Sequence, residues 1–485
     1  MLDTERRGKL RQFFTPAPVA CLLASMFDPP TGSSRILDAG AGVGSLTAAL
    51  VAQAAKDRWS GRLEIDAVEI DPALRDPLGA TLEDCECTLG VDATTEHREC
   101  DFIEWACDQL QLNFFESMAD SYDVAILNPP YRKLATRSRE RLRLLNVGIE
   151  VTNLYAAFVA LAARLLAPGG QLVAITPRSF CNGPYFRAFR RNLLAETSLR
   201  RIHVFESRDL AFRDSAVLQE NVILSTVKGG DRSAVTISTS WGGAEGICAR
   251  VVPYDEVVHR HDHQQFIHVV PNHNGTDLSR RFEKLPATLP DLDTSVSTGR
   301  VVGFRAREHL RAHPCGGTVP LVCPSHLTLG RVRWPNPTDR KPNALALESS
   351  TEGLCLPIDH YVLVRRLSSK EEPRRLVAAV ACPSDFPSAL IAFENHLNVF
   401  HQRNAGLPAN LAWGLATFLN STPVDQLFRQ FNGHTQVNAT DLRSLRYPST
   451  DDLTALGRAA RTSEPLQQRD IDDLLGVFVP DLADC

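Results

Sequence analysis

Residues 35–52 read RILDAGAGVGSLTAALVA, which is an apolar segment followed by a glycine-rich turn and an alanine- and leucine-rich segment. The apolar part predicts a buried strand, and the segment that begins at Ser45 predicts a helix. Gly40, Gly42 and Gly44 tolerate positive φ and let the backbone approach a ligand, while the first NH groups of the helix can bind an anionic group. The pattern can hold an adenosine cofactor, although a single G-x-G-x-G is weak and differs from the G-x-G-x-x-G fingerprint.

Further segments with the composition of buried strands alternate with helical stretches such as residues 154–166. This alternation favours an α/β fold built on a mostly parallel sheet. The predicted strands are residues 35–38, 63–70, 122–127, 171–176 and 217–227.

Acidic residues lie at two further candidate strand ends. Glu69 lies about 25 residues beyond the glycine turn, close to the ~20 at which such folds place a ribose-binding carboxylate. Asp71 precedes Pro72 and is also compatible with a helix cap, and both acids also fit solvated turn positions. At a third strand end, Asp101 offers a carboxylate for an adenine amino group and Phe102 a ring beside it, but the pair is equally typical of an amphipathic helix start.

The tetrapeptide Asn128-Pro129-Pro130-Tyr131 follows the predicted strand 122–127. Its prolines fix φ, remove two NH donors and extend the preceding backbone, which exposes carbonyl oxygens. The Asn128 side-chain oxygen and the Pro129 carbonyl can accept both hydrogens of an exocyclic amine and localise its lone pair, while Tyr131 can stack on a base for about 1–3 kcal/mol. With the cofactor turn, the tetrapeptide indicates methyl transfer to an amino group; an ordinary Pro-Pro turn closing a strand has the same composition.

Together with Gln12-Phe13-Phe14-Thr15-Pro16, these elements resemble motifs X, I, II, III and IV of the γ-class DNA adenine-N6 methyltransferases, in the order that defines that class. The resemblance covers roughly residues 9–235. It implies a class I, Rossmann-like fold and S-adenosylmethionine as cofactor. It assigns the cofactor to Phe14, Thr15, Pro16, Asp38, Gly40, Gly42, Gly44, Glu69, Asp101 and Phe102, and an extruded adenine to Asn128, Pro129, Pro130, Tyr131 and Phe212. For the last position, Phe205 lies nearby, and a buried core phenylalanine fits as well.

The second half is similar to the PstI/BsuBI branch of type II restriction-modification methyltransferases. The similar segments are residues 297–302, 395–400, 419–425 and 433–442. The resemblance implies that the carboxyl-terminal half reads the DNA sequence and that a separately encoded restriction endonuclease acts beside the enzyme. We therefore expect a catalytic domain over 1–235 and a mixed α+β target-recognition domain over 236–485, acting on adenine N6 in double-stranded DNA.

Other functions share parts of this pattern. An RNA or protein-glutamine methyltransferase can use the same tetrapeptide, but a recognition half of about 250 residues and the motif order count against both. A fused restriction enzyme needs a nuclease motif, and no convincing acid-acid-lysine pattern follows the methyltransferase motifs. A DNA-binding protein without activity is disfavoured by the intact glycine turn and tetrapeptide.

Charge is locally uneven. The net charge of -5 argues against a nucleic-acid partner, yet residues 132–143 and 178–213 are rich in arginine, and local clustering decides phosphate binding. The candidates for DNA contact are Arg132, Lys133, Arg137, Arg187 and Arg190. Solvated helix faces with their usual arginines are the alternative.

The composition, with 44% hydrophobic and 22% charged residues, is typical of a globular protein. The length of 485 residues suits two or three domains. No apolar run reaches the ~18 residues of a membrane span and the basic amino terminus lacks a signal-peptide core, so we expect a soluble, cytoplasmic protein without a membrane partner. The twelve cysteines contain no C-x-x-C pair, which favours free thiols. His259, His261 and His263 alternate without an evident fourth ligand, and no metal is expected.

Overall fold

The computed structural model of the chain divides into two compact units, Met1–Pro271 and Asn272–Cys485. We call them unit 1 and unit 2. The structure describes residues 15–87, 92–112, 121–205, 220–240, 246–260, 262–269, 278, 280–336, 341–368, 372–431, 436–463 and 465–482. None of the helices in these ranges is long and apolar enough to cross a bilayer, and the cysteines in them are free thiols, as predicted.

Unit 1 contains a nine-stranded sheet flanked by helices. Its strands are β1 (Ser34–Ala39), β2 (Leu63–Glu69), β3 (Ala93–Glu99), β4 (Tyr122–Leu127), β5 (Leu166–Pro177), β6 (Thr197–Phe205), β7 (Asn221–Lys228), β8 (Ala234–Ser240) and β9 (Cys248–Pro253). Its helices are α1 (Ala17–Ala24), α2 (Ser45–Lys56), α3 (Arg75–Cys87), α4 (Phe102–Leu112), α5 (Arg139–Asn146), α6 (Leu154–Leu165), α7 (Arg187–Glu196) and α8 (Tyr254–Val257).

The sheet order is β3-β2-β1-β4-β5-β7-β6-β8-β9. Strands β1 to β5 run parallel, and β7 lies antiparallel to both β5 and β6. The expected α/β fold with a mostly parallel sheet is therefore confirmed. Strand β6 was not predicted, because its charged and polar residues interrupt the apolar run that marks a buried strand.

Helical layers cover both faces of this sheet. Successive residues of a strand point to opposite faces: on β1, Leu37 packs in one core cluster with most of α6, and Ile36 packs in another with α1 and α2. On β4, Ala125 and Leu127 face the first cluster, and Val124 and Ile126 face the second. Burial on both sides explains why these strands read as continuous apolar runs.

The strand order reverses between β1 and β4. The chain proceeds from β1 outward to β2 and β3 and then returns to β4 on the other side of β1, where Asp38 is in register with Ile126. In open α/β sheets, ligands bind at the carboxyl ends of the strands at such a switch point. The glycine turn after β1 and the tetrapeptide after β4 therefore flank the expected binding crevice.

The boundary between the units lies beyond the expected end of the catalytic domain at residue 235. Strand β8 pairs in parallel with β6, from Arg201 opposite Thr236 to Phe205 opposite Ser240, and β9 pairs with β8. Both strands therefore extend the sheet of unit 1. The unit itself ends at Pro271.

Unit 2 combines two five-stranded sheets with helices, which agrees with the expected mixed α+β class. The first sheet has the order β10-β19-β16-β17-β13 and the second β11-β14-β12-β18-β15, with β10 (Ser295–Thr298), β11 (Leu310–Arg311), β12 (Thr318–Val322), β13 (Gly330–Arg331), β14 (Ala344–Ala346), β15 (Cys355–Pro357), β16 (Tyr361–Arg365), β17 (Ala378–Ala381), β18 (Leu390–Phe393) and β19 (Leu397–His401). The helices are α9 (Ala409–Leu419), α10 (Thr422–Phe431), α11 (Ala439–Ser444), α12 (Thr450–Thr462) and α13 (Gln468–Phe478).

Helices α9 and α12 cross with very close backbones. A Cβ atom added at Gly414 would lie 1.8 Å from the Leu453 carbonyl oxygen, and one added at Gly457 would lie 1.8 Å from that of Asn410. Only glycine fits both positions, so this pair of residues sets the distance between the helices.

Polar residues of the segments similar to the PstI/BsuBI branch hold the backbone of unit 2. The Asn420 amide donates to the carbonyl of Ala378 (2.8 Å) and accepts from its NH (2.9 Å), and Asn398 donates to the Val437 carbonyl (2.9 Å). These side chains are buried. An unmade hydrogen bond is costly in such a setting, so they serve the architecture of the unit.

Candidate active site

The glycine turn folds back over the carboxyl end of β2. The NH groups of Gly40 and Ala41 both donate to the Val68 carbonyl oxygen, at 2.9 and 3.0 Å. All three predicted glycines have positive φ: 79° at Gly40, 61° at Gly42 and 82° at Gly44. Helix α2 begins directly after this turn, so its free NH groups point towards the crevice.

Asp38 lies beneath the turn, fully buried at the end of β1. One carboxylate oxygen accepts a hydrogen bond from the Thr47 hydroxyl at 2.7 Å, and the other has no partner among the described residues. Burial raises the pKa of Asp38 to about 7, against the hydrogen bonds from Thr47, which lower it. The buried acceptor without a partner is a position for a donor that the protein itself does not supply.

Glu69 occupies the end of β2 and also contacts the turn. Its buried carboxylate accepts hydrogen bonds from the NH of Gly42 (2.9 Å) and of Asp71 (2.8 Å). The Asp71 side chain instead accepts from the Ala73 NH at 3.1 Å and caps the short helical turn after it. Of the two acids, Glu69 is therefore the one that contacts the glycine turn.

Between these two acids, the Ile70 side chain is 52% exposed at the edge of the crevice. An apolar side chain exposed beside a polar loop offers a surface for a flat ring. The sequence did not single it out, because an isoleucine at a strand end is ordinarily read as core.

Asn128 at the end of β4 contacts the segment before α1. Its side-chain NH2 donates to the Thr15 hydroxyl oxygen at 2.9 Å, and the amide oxygen faces the Tyr131 hydroxyl at 3.4 Å. In this arrangement the amide nitrogen is directed to Thr15 and the amide oxygen to Tyr131. The structure thus brings together two predicted segments that lie more than a hundred residues apart, although Phe14 lies outside the described residues.

Aromatic residues support the tetrapeptide. The edge of the Tyr131 ring meets Tyr155 of α6, with 6.1 Å between ring centroids, and Tyr155 packs on Phe186 at 5.6 Å. The Tyr155 hydroxyl is 3.1 Å from the Ser179 hydroxyl after β5. Burial raises the pKa of Tyr131 above its ordinary value, so its hydroxyl stays neutral. Nothing in the sequence distinguished Tyr155 from the other apolar residues of its helix.

The third predicted carboxylate caps a helix. The Asp101 side chain accepts from the Glu104 NH at 3.0 Å, at the start of α4. Phe102 is 3% exposed and packs against Phe158 and Trp105, with ring centroids 4.8 and 6.0 Å away. The Phe102 ring therefore belongs to the core of unit 1, and its assignment to the cofactor stays a prediction.

The basic stretch after the tetrapeptide divides into two groups. Arg132, Lys133 and Arg137 are exposed. By contrast, Arg139 pairs with Glu104 at 3.2 Å and Arg143 with Asp108 at 2.7 Å, both on α4. The Arg139 side chain is still 73% exposed, so the two groups are distinguished by ion pairing.

Arg187 and Arg190 on α7 also differ. Arg187 is exposed and donates to the His263 carbonyl at 3.0 Å. Arg190 is fully buried, and its guanidinium donates to the carbonyl oxygens of Phe180, Gly183 and Gln264 at 2.8–3.1 Å. The prediction that Arg190 contacts DNA is wrong, because its donors hold the backbone inside unit 1.

Phe212, the predicted partner for the second face of the base, lies outside the described residues. In the described part of the chain, no group of three or more His, Cys, Asp or Glu residues forms a metal site.

Known proteins resemble this chain along almost its whole length. The family model described as Eco57I restriction-modification methylase matches residues 80–212. The type II methyltransferase M.PstI of Providencia stuartii is 44% identical over 479 residues, which are 98% of this chain and 94% of that protein. The type II methyltransferase M.BsuBI of Bacillus subtilis is 42% identical, over 97% of this chain and 94% of that protein.

Among solved structures, the type IIL restriction-modification enzyme MmeI in complex with DNA matches with a TM-score of 0.57 at 10% identity. The match covers 93% of this chain and 69% of that chain and shows a shared fold. The sequence relatives agree with the resemblance predicted from the motifs. The chain belongs to the PstI/BsuBI branch of the type II restriction-modification methyltransferases, which are site-specific DNA methyltransferases.

Proposed function

We propose that the protein transfers the methyl group of S-adenosylmethionine to N6 of an adenine that is flipped out of duplex DNA. The observation that carries this proposal is the position of the tetrapeptide, on the strand next to the one that ends in the glycine turn. The amine and the methyl donor would meet in one crevice at the switch point of the sheet.

The residues around the turn fit this cofactor. The three positive-φ glycines leave room for close approach, the Asp38 oxygen without a protein partner can accept a hydrogen bond, and Ile70 offers an apolar surface to the adenine ring. Glu69 would accept hydrogen bonds from the ribose hydroxyls, and Thr15, Pro16 and Asp101 would complete the set. When bound, S-adenosylmethionine supplies an electrophilic methyl group on a sulfonium.

Asn128 and Pro129 would orient the amine. The Asn128 amide oxygen has two lone pairs, so it can accept an N6 hydrogen in addition to its contact with Tyr131. The Pro129 carbonyl would accept the second N6 hydrogen, and Pro130 keeps that carbonyl in an extended segment. Both hydrogen bonds draw the nitrogen lone pair out of the ring and towards the methyl group. After methyl transfer the nitrogen is acidic and releases a proton to solvent.

Base flipping is required because a duplex hides the amine. It costs a few kcal/mol, which stacking on Tyr131 and the hydrogen bonds of the tetrapeptide would offset. Arg132, Lys133, Arg137 and Arg187 would contact phosphates near the crevice, since their side chains are exposed. Unit 2 would supply the target recognition, and a separately encoded endonuclease would cut the same site when it is unmethylated.

Radiolabelled methyl transfer to genomic DNA, tRNA and a denatured protein mixture tests the proposal. We expect label in DNA alone, as N6-methyladenine within one sequence context, and none with Asn128→Ala. Arg132→Ala is the matched control: it should weaken DNA binding and leave activity at saturating DNA. Label in RNA or on glutamine, with DNA untouched, would refute the proposal.

A further inference from the structure

A loop of unit 2 presents an exposed aromatic ring among arginines. We call residues 299–307, GRVVGFRAR, the Phe304 loop. The Phe304 side chain is 78% exposed, and the Arg305 guanidinium lies over its ring, 5.4 Å from the centroid. Exposing a ring of this size forgoes about 1.5–3 kcal/mol of burial, so a ring held in water by an ordered loop calls for a partner.

The loop is rigid at both ends. Val301 is fully buried and its NH donates to the Phe393 carbonyl at 3.0 Å, while the NH groups of Arg305 and Ala306 both donate to the Val302 carbonyl. At Gly299, an added Cβ would lie 2.1 Å from the Glu394 carbonyl oxygen. The backbone therefore holds Phe304 outward in one position, and binding would cost little ordering entropy.

The segment that carries the ring is basic. No acidic residue lies between Asp293 and Glu308, a span that contains Arg300, Arg305 and Arg307. All three arginines are exposed, and none of them forms an ion pair with another described residue within 4.0 Å. The whole chain has a net charge of -5. The local excess of positive charge at this segment therefore indicates an anionic partner.

The positive surface continues onto the neighbouring strand. Strand β10 pairs with β19, and Arg300 donates to the Asn404 side-chain oxygen at 2.8 Å. Beside Asn404, the exposed side chain of Arg403 pairs with the solvent-exposed Asp293 at 3.9 Å. The positive charge also acts on His401 of β19. Burial lowers the pKa of this histidine, and the charges of Arg300 and Arg443 lower it further.

We infer that the Phe304 loop is a DNA-contact element of unit 2, in which Arg305 and Arg307 bind phosphates and Phe304 packs on bases at the edge of the target site. The inference rests on the proposed function, since it takes DNA as the polyanion that this loop meets. Aromatic rings pack on bases, and arginines bind phosphate with planar, paired donors.

The test measures binding and catalysis separately in the full-length protein. Phe304→Ala should weaken binding to a fluorescent duplex and raise KM for genomic DNA by roughly fivefold or more, the equivalent of one lost base contact. The double variant Arg305→Gln/Arg307→Gln should lower the slope of log Kd against log salt by about 0.9 for each phosphate contact.

Matched controls come from the same unit. Val477 is exposed on α13, and Arg469 on the same helix has a side chain 91% exposed; Val477→Ala and Arg469→Gln should change neither quantity. Because all of these positions are exposed, thermal unfolding should be unaffected in every variant.

Each outcome distinguishes the inference from the function on which it rests. If the wild type methylates DNA while the loop variants keep their affinity, KM and salt slope, the inference fails and the proposed function stands. If Phe304→Ala changes only the oligomeric state in sedimentation, the loop is a contact between copies and the inference fails. If the wild type itself methylates no DNA, the proposed function fails, and the inference that rests on it fails with it.

Discussion

At the scale of single residues, the site depends on the orientation of one amide. The Asn128 side chain can serve as an acceptor for a substrate amine only if its oxygen, and not its NH2, faces the crevice. In the structure the NH2 donates to the Thr15 hydroxyl at 2.9 Å, which leaves the oxygen on the side of Tyr131. Thr15 is therefore a positioning residue that acts through Asn128.

We predict that Thr15→Val, which keeps the shape and removes the acceptor, lowers kcat by roughly fivefold, the rate equivalent of one hydrogen bond of about 1 kcal/mol. Thr15→Ser keeps the hydroxyl and should restore the wild-type rate. Single-turnover methyl transfer at saturating DNA and cofactor measures the effect. Equal rates in the valine and serine variants would contradict a positioning role.

The sequence did not predict which arginines are buried. Arg190 and Arg187 lie in the same basic stretch and on the same helix, yet one binds three carbonyl oxygens inside the core and the other is exposed. A guanidinium has five donors, so its role depends on the carbonyl groups that folding brings to it.

At the scale of elements, the glycine turn joins β1 to α2 in a conformation that other residues resist. Gly44 has φ of 82°, and an added Cβ would lie 2.9 Å from the Thr81 Cγ2 on α3. Both the backbone angle and the packing therefore require glycine at this position.

We expect Gly44→Ala to destabilise unit 1 by about 1–2 kcal/mol from the left-handed backbone alone and to weaken cofactor binding through the displaced turn. Gly79→Ala on α3 is the control: nothing lies within 4 Å of its added Cβ, and alanine should stabilise the helix by up to about 1 kcal/mol. Calorimetric unfolding and titration with the cofactor measure both effects. A neutral Gly44→Ala would show that the turn has room to adjust.

At the scale of the whole molecule, the chain consists of two compact units with separate cores. The proposed cofactor site is composed of residues from unit 1, and the Phe304 loop belongs to unit 2. A substitution that destabilises the core of one unit should therefore leave the affinity of the other unit for its ligand unchanged.

We predict that Gly414→Ala lowers the unfolding temperature of unit 2 and impairs DNA binding while affinity for S-adenosylmethionine is kept. The added Cβ would meet the backbone oxygen of Leu453, which cannot rotate away, so α9 and α12 must separate at a typical cost of about 1–3 kcal/mol. Gly316→Ala, with nothing within 4 Å of its added Cβ, is the control. Equal loss of cofactor binding would mean that the two units unfold as one.

The sequence by itself determined the class of fold and the two segments on which the proposed site is built. Buried parallel strands read as unbroken apolar runs, which is why β1, β2 and β4 were predicted almost to the residue. The glycine turn and the tetrapeptide are recognisable because their backbone chemistry is local and rests on glycine and proline.

Only the tertiary structure decided the roles that depend on distant partners. It placed Phe102 in the core, brought Arg190 to the carbonyl oxygen of Gln264, which lies 74 residues away in the chain, and added β8 and β9 to the sheet of unit 1. The physical reason is the same in each case: burial and the pairing of charges are set by segments that meet through folding, and the local pattern of residues contains no information about which segments those are.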